Sequence, residues 1–544
     1  MQRGLSDQLL RRHEQPVQRC YSVGESGVFL LPDSEKPYSA CGLKDFLRRV
    51  KRMKNDSTTT KLDLNEGIFD ARTLGVPKML LLGFQHMFAM FGATVLVPLL
   101  TGLDISTTLF MAGFGTLLFH LITKMKVPAF LGSSFAFLGG YAAVAPLGAN
   151  GASNEEMLPY ACLGVACAGL VYLVLALLIK LVGVVKVMRF FPPVVTGPII
   201  IAIGLGLSGS AVSNCNSNWL IALIALAVVI LFNVWGKGMC KIIPILLGVV
   251  ISCAIAAVLA LTLGQEIDVE GAKYIAINGN ANLKLFSVSA LEELKNDAWI
   301  GLPFTWKHTV FGGVDFSNTS RVISSIVAIV PIALATMMEH IGDISAISST
   351  VGKNFIKDPG LHRTLTGDGL ATTIASLFGG PANTTYGENT GVLALSKVYD
   401  PRVIRLAAVF AILVSFSPKF AALVSLIPTA VIGGISFILY GMISAIGVRN
   451  VVENKVDFTK SRNLIVAAVI LVSALGLGSV NFNIGSVAIS LSALAVASIV
   501  GIVLNAVLPG KDYTFDAEQE DAVVNFAVGP NTIEGNPTTE QVDE

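Results

Sequence analysis

Three acidic side chains, Glu339, Asp343 and Glu388, stand inside long apolar stretches of this chain, while the first half of it places none well inside such a stretch. An ionised group at the centre of a bilayer costs at least about 2.5 kcal/mol, so each of these acids should face a cavity and act there. Glu339 and Asp343 are four residues apart and share one helix face. Glu388 follows Asn383-Thr384-Thr385-Tyr386-Gly387, a run that suits an extended stretch leading into a half-helix, whose positive end favours a carboxylate. Gly132-Ser133-Ser134 is a comparable run in the first half. Two half-helix N-termini facing each other would offer unpaired N–H groups to a ligand's oxygens. Carboxylates beside such termini suit a small planar ligand with N–H donors and C=O acceptors, and they repel an anion. Because burial favours the neutral carboxyl, an acid here could take up a proton with the ligand and release it inside. His86 and His340 read either as helix bridges or as proton-handling groups, and Asp368 reads as a cap near the inner end of its span.

The elements that position these residues must be membrane helices. Of 544 residues, 53% are hydrophobic and 14% charged, whereas a soluble protein carries charge on about a quarter of its residues. The net charge of +1 gives no sign of a nucleic-acid partner. The cysteines show no CxxC or Cys/His spacing, which argues against a disulfide framework or a zinc site, and no cofactor is expected. Between residues 77 and 508 the chain is a succession of fourteen apolar stretches, each of about the 17–25 residues that cross a bilayer as helix. The third runs over 128–145, the eighth over 322–346, the ninth over 364–379 and the tenth over 383–398. The last four run over 402–417, 421–446, 461–477 and 485–508. Barrel strands would alternate in polarity, and these do not. Residues 1–75 read as a polar, disordered cytoplasmic tail, with Met53 as an alternative start; 265–321 read as a folded outer loop and 509–544 as a second cytoplasmic tail. Seventeen Lys and Arg residues fall in the loops on one side, against Lys419 alone in the short loops of the other. That bias places both termini in the cytoplasm of a multi-pass protein of the cell (plasma or inner) membrane.

The chain also resembles itself. LGFQHMFAMFGA at 82–93 aligns Gln85-His86 with Glu339-His340 of TMMEHIGDISA, PAFLGSSFAF at 128–137 aligns with PANTTYGENT at 381–390, and PPVVTG at 192–197 aligns with PTAVIG at 428–433. The halves, 77–264 and 322–508, each hold seven spans, an odd number, so the second enters from the opposite side. The expected fold is therefore an all-α polytopic membrane protein built from two inverted seven-span repeats, with spans 3 and 10 broken and the site near the midplane between repeats.

At these residues the sequence resembles the nucleobase-ascorbate transporter family. TTYGENTGVLALSK at 384–397 is similar to the family signature, an acidic or amide residue followed by Asn-x-Gly-x4-Thr, and QHMFAMFGATVLVP, GSSFAF and EHIG are similar to other family segments. The likeness is greatest to its bacterial uracil:proton symporters and covers about 77–508. It implies that Glu339 and Glu388 bind uracil N–H groups, that the backbone at Ser134, Phe135, Gly387 and Glu388 meets the carbonyls, and that Phe135 and Ala93 shape the pocket beside Tyr386. Tyr440 would come from a moving partner domain, and Glu339, Asp343, His340 and Glu388 would handle the proton. The implied fold has a core domain (spans 1–4 and 8–11) and a gate domain (spans 5–7 and 12–14) that work by elevator or core-against-gate alternating access, commonly as a homodimer through the gate. Two positions depart from the pattern: Asp343 stands where the bacterial uracil symporters have a histidine, and Ser396 replaces the signature Thr. Asp at 343 also occurs in purine members, which keeps xanthine or another purine as the alternative substrate. An intramembrane aspartyl hydrolase is a remote alternative, since that chemistry needs two Asp sharing one proton.

Overall fold

The computed structural model describes residues 67–148, 152–269, 271–484 and 487–510. The greater part of the two expected tails, 1–66 and 511–544, lies outside the described residues. Helices carry most of the chain. In the first half they are α1 (Val76–Thr101), α2 (Ile105–Ile122), α3 (Leu138–Val144), α4 (Leu158–Val182), α5 (Val184–Met188), α6 (Pro193–Gly206), α7 (Trp219–Trp235) and α8 (Pro244–Leu263). Their ends follow from local chemistry. Pro77 sits in the first turn of α1, where its missing N–H costs nothing, and Gly102 closes the helix in the left-handed conformation. Asp104 starts α2 by accepting the Thr107 N–H at 2.6 Å.

The second half comprises α9 (Val288–Asn296), α10 (Thr319–Ile329), α11 (Ala333–Val351), α12 (Leu361–Leu377), α13 (Gly387–Ser396), α14 (Pro401–Ser415), α15 (Pro418–Ser425), α16 (Thr429–Glu453), α17 (Ser461–Gly476) and α18 (Ala493–Val507). Among the described residues seven helices are long and apolar enough to cross a membrane, or eight if α14 and α15, bent by 91°, form one span. The molecule is thus a mostly helical, multi-pass membrane protein. It is not all-α as expected, because short strands interrupt it. The expected span 322–346 lies within one continuous apolar helix, Thr319–Val351, which tightens for a single turn at Val330–Ile332 between α10 and α11. The expected span 485–508 begins as a strand, Val487–Ser492, paired with Ser479–Ile484, so its helix starts only at Ala493. The segment expected as an outer loop contains a three-stranded sheet (Gly264–Val269, Ala272–Ile277, Lys284–Ser287) followed by α9.

Lys419 is held in place by that segment. Its backbone N–H donates to the Ala298 carbonyl at 3.1 Å. Its ammonium donates to the Lys295 and Asp297 carbonyls at 3.2 and 3.4 Å and lies over the Trp299 ring. At the start of α1, Arg402 bridges Asp70 at 2.8 Å and Asp400 at 3.1 Å, and Asp400 also accepts the Ala71 N–H at 2.7 Å. The Arg72 guanidinium hydrogen-bonded to Asp70 holds that carboxyl well below the usual carboxylate range.

The feature that organises the centre is a pair of three-residue strands, β1 (Leu131–Ser133) and β5 (Asn383–Thr385; β2–β4 being the outer-loop sheet), which run antiparallel with Leu131 opposite Thr385 and Ser133 opposite Asn383. The pairing continues at both ends, where Ser134 N–H donates to Ala382 O at 2.9 Å and Tyr386 N–H donates to Phe130 O at 3.0 Å. Hydroxyl and amide side chains complete it. Leu131 N–H donates to Thr116 Oγ1 at 2.9 Å, Thr372 donates to Asn383 O at 2.7 Å, and Asn383 Nδ2 donates to Met111 O at 3.1 Å. The flanking helices approach closely where they lack side chains: a Cβ on Gly369 of α12 would lie 2.5 Å from Tyr172 Cβ of α4, and one on Gly169 2.7 Å from Gly369 O.

Gly132 is needed for the same reason. A Cβ there would lie 2.5 Å from the Tyr386 ring and 2.7 Å from Thr94 Oγ1, both buried. Overpacking of this kind costs about 1–3 kcal/mol. Gly132→Ala is therefore expected to lower the thermal unfolding midpoint of the purified protein, and adding Tyr386→Ala should recover a measurable part of the loss; a Gly132→Ala variant as stable as the parent contradicts the close approach.

Candidate functional site

The strand pair brings the sequence-selected residues from the two halves together. Beyond β1 a tight turn at Phe135–Phe137 leads into α3, and beyond β5 the chain enters α13 at Gly387. Both half-helices thus begin where a strand ends, with backbone N–H groups unspent. Gly387 is exposed although it lies among buried neighbours, so the start of α13 borders open space. Glu339 and Asp343 on α11 are half-buried. A Cβ on Gly387 would come within 4.0 Å of Asp343 Oδ1, which sets that carboxylate at the positive end of α13. The backbone of Glu388 forms the first turn of α13; its side chain is outside the described residues.

On the opposite wall Ser134 and Phe135 are buried, and the Ser134 hydroxyl has no hydrogen-bond partner among the described residues. A buried hydroxyl without a partner costs about 1–3 kcal/mol, which a polar ligand or water would remove. The Phe135 ring meets that of Tyr440, on α16, edge to face with centroids 5.9 Å apart. Ala93 is fully buried on α1, next to Thr94. Tyr386 is spent on the scaffold, for its hydroxyl donates to Ser133 O at 2.9 Å and receives the Thr94 hydroxyl at 3.3 Å.

Behind Asp343 lies a polar relay. Thr385 at the end of β5 donates its hydroxyl to Asp343 Oδ2 at 3.1 Å and lies 3.4 Å from His340 Nδ1. That nitrogen is also 3.0 Å from Asp368 Oδ2, and both His340 and Asp368 are fully buried. Asp368 is therefore no interfacial cap: α12 begins at Leu361, so Asp368 lies two turns inside the helix, against His340. His86 is tied from α1 to α13, because Asn389 Nδ2 donates to its carbonyl at 3.2 Å and lies 3.4 Å from its Nδ1. Sequence reasoning passed over Thr385, Thr94 and Asn389 as site components. Only the polar run around Glu388 hinted at them, since a hydroxyl or amide in an apolar helix is more often a packing contact. Among the described residues no cluster of His, Cys, Asp and Glu is placed to hold a metal ion.

The sequence and the fold are similar to those of known proteins. Residues 77–482 match the model of the Permease family. A uracil permease of Bacillus caldolyticus is 41% identical over 470 residues, covering 84% of this chain and 98% of that protein. The uracil permeases of Bacillus subtilis (strain 168) and Escherichia coli (strain K12) are 39% and 36% identical, over 78% and 81% of this chain and 91% and 95% of their own length. Among solved structures the fold is similar to the transmembrane domain of a cyanobacterial bicarbonate transporter, BicA (TM-score 0.54, 15% identity, 81% of this chain and 99% of that one). It is also similar to SLC26A9 (TM-score 0.53, 13% identity, 88% and 72%). At such identity the likeness concerns the fold alone.

The relay makes a prediction separable from any transport assay. Thr385→Val removes the donor to Asp343 and should destabilise the protein by about 1 kcal/mol, the scale of a polar contact between membrane helices. Thr385→Ser should restore the loss in a denaturation measurement, and equal stability of the Val and Thr forms would show that the hydroxyl is not engaged.

Proposed function

The chain belongs to this Permease family, the nucleobase-ascorbate transporters, and from that premise we propose that it imports uracil across the membrane together with a proton. The observation that carries the reading is the meeting of Asp343 with Gly387 and the first turn of α13, with the half-buried Glu339 one turn before Asp343 on α11. Uracil is small, planar and neutral, with two N–H donors and two C=O acceptors. Glu339 and Glu388 take its N–H groups. The backbone N–H groups at Ser134, Phe135, Gly387 and Glu388 take its carbonyls, and Phe135, Ala93 and Tyr386 bound the ring.

A site with ionised acids is costly to move through a low-dielectric bilayer, and one that has bound a proton is cheaper. Proton binding at Glu339, Asp343 or Glu388 therefore couples to movement. Thr385 links Asp343 to the buried His340–Asp368 pair, which steadies whichever protonation state Asp343 adopts. The standing of Asp343 where uracil symporters carry a histidine keeps xanthine as the second substrate to test.

The transport cycle we propose uses two inverted seven-span halves, 77–264 and 322–508, divided into a core domain of spans 1–4 and 8–11 and a gate domain of spans 5–7 and 12–14. Support comes from the antiparallel pairing of β1 with β5 at repeat-related positions, each followed by a short helix. Each of the fourteen apolar stretches also contains a helix. The core would carry the site past Tyr440 of the gate, whose exposed apolar faces on α7 and α8 suit self-association as a homodimer. Both termini are assigned to the cytoplasm.

Proteoliposomes with an imposed pH gradient test the whole reading. Labelled uracil should accumulate when the outside is acidic; uptake indifferent to the gradient rejects proton coupling, and strong competition by xanthine without uracil accumulation reassigns the substrate. Loss of a hydrogen bond to a charged group is worth about 1.5–3 kcal/mol, so Glu388→Gln and Glu339→Gln should each weaken uracil binding at least about tenfold. Asp343→Asn should blunt the dependence of uptake on the gradient; full pH-driven uptake by this variant removes Asp343 as a proton carrier.

A further inference from the structure

Away from the strand pair, a cavity of about 520 Å³ opens on the lipid-facing surface between the last turns of α4, the short helix α5, and α18. Its walls are Leu178 and Val182 of α4, Val187 of α5, Leu334 of α11, and Ile502 and Val503 of α18. Lys186 is the one charged residue among those that line it. Gly183, at a φ of 94°, turns the chain out of α4 so that α5 folds across the groove, burying Val187 and Met188 while leaving Lys186 and Arg189 exposed.

Asn505, two residues beyond Val503, ties the backbone of Arg189 and the side chain of Arg462 to α18. Asn505 Nδ2 donates to the Arg189 carbonyl at 3.3 Å, and Arg462 Nη2 donates to Asn505 Oδ1 at 2.8 Å and to its carbonyl at 3.0 Å. The oxygens that Arg462 reaches are amide and carbonyl oxygens, so its charge is not cancelled there. Among the described residues Lys186 and Arg189 form no ion pair with an acid. Lys186 thus lines a groove that is otherwise hydrocarbon, and Arg189, exposed three residues further on, and Arg462, bonded to Asn505, stand near it with uncancelled charge.

We propose that this groove is a binding site for an anionic phospholipid, with an acyl chain lying along Leu178, Val182, Leu334 and Val503 and the headgroup phosphate against Lys186 and Arg189. A peptide occupant is disfavoured because the walls offer side chains of helices whose backbone groups are already paired. A free anion would find one end of the groove suitable and the rest wasted. Basic pockets between membrane helices are suited to acidic headgroups, and each cation near the surface strengthens that attraction by about fivefold. The groove is walled by α4 and α11 on one side and α18 on the other. If the core and gate assignment above holds, a lipid bound here straddles the two domains; the binding site itself does not depend on that assignment.

The test uses the purified, delipidated full-length protein and radiolabelled dioleoylphosphatidylglycerol, with dioleoylphosphatidylcholine as the neutral comparison, both followed by co-elution on size exclusion. Phosphatidylglycerol should be retained at least about tenfold more tightly than phosphatidylcholine. The Lys186→Gln/Arg189→Gln double variant should lose that preference while keeping weak binding of both lipids, and Val182→Trp, which fills the groove, should lower retention of both. If the double variant does not elute as a single folded species, the unaltered protein decides: raising the salt should erase its preference for phosphatidylglycerol. Equal retention of the two lipids, or a preference unmoved by both the substitutions and salt, overturns the proposal. Phosphatidylglycerol retention without uracil uptake would leave this site standing and the transport reading fallen.

Discussion

Everything at the centre of the molecule depends on satisfying two short stretches of extended backbone at the depth of a membrane. A helix pairs its own N–H and C=O groups, but an extended segment must find partners elsewhere or forfeit several kcal/mol for each group left bare. Here each stretch is the other's partner. Leu131–Ser133 and Asn383–Thr385 pair antiparallel, and Thr116, Thr372 and Asn383 supply the remaining bonds from α2, α12 and the strand itself. The small residues at Gly132, Gly169 and Gly369 follow from this, because the helices must close tightly around a ribbon that cannot be left to lipid. So does the site, since a strand that ends and a helix that begins leave unspent N–H groups at one place, and α11 brings Asp343 to it.

Much of this was legible in the residues. Apolar run lengths located the helices, and the polar runs Gly132-Ser133-Ser134 and Asn383-Thr384-Thr385 marked the breaks, because no lipid-facing helix gains from them. The similarity between the halves brought those runs into correspondence before any contact was visible. Glu339 and Asp343 stood out as costly charges in an apolar setting, and the structure leaves both half-buried, with Asp343 beside the start of α13.

What stayed hidden depended on packing and on where helices begin. Asp368 read as a cap because its apolar stretch seemed to start at 364, whereas the helix starts at Leu361 and carries Asp368 inward against His340. Hydropathy could not distinguish the strand Val487–Ser492 from helix, since Val487, Ala488, Ile489 and Leu491 make the run apolar on average despite its two serines. Lys419 looked like a stray exception to the charge bias; the outer loop, whose fold no local pattern discloses, is what binds it.

The contact between Gly132 and Tyr386 reaches beyond stability. The two residues come from different halves of the chain, and the space one lacks is filled by the ring of the other. Neither half can therefore diversify here alone: a side chain at 132 is admissible only in a lineage whose ring at 386 has already become smaller, and restoring the ring afterwards is blocked. The centre of the protein evolves in this respect as a single ratcheted unit, however freely the lipid-facing residues around it drift.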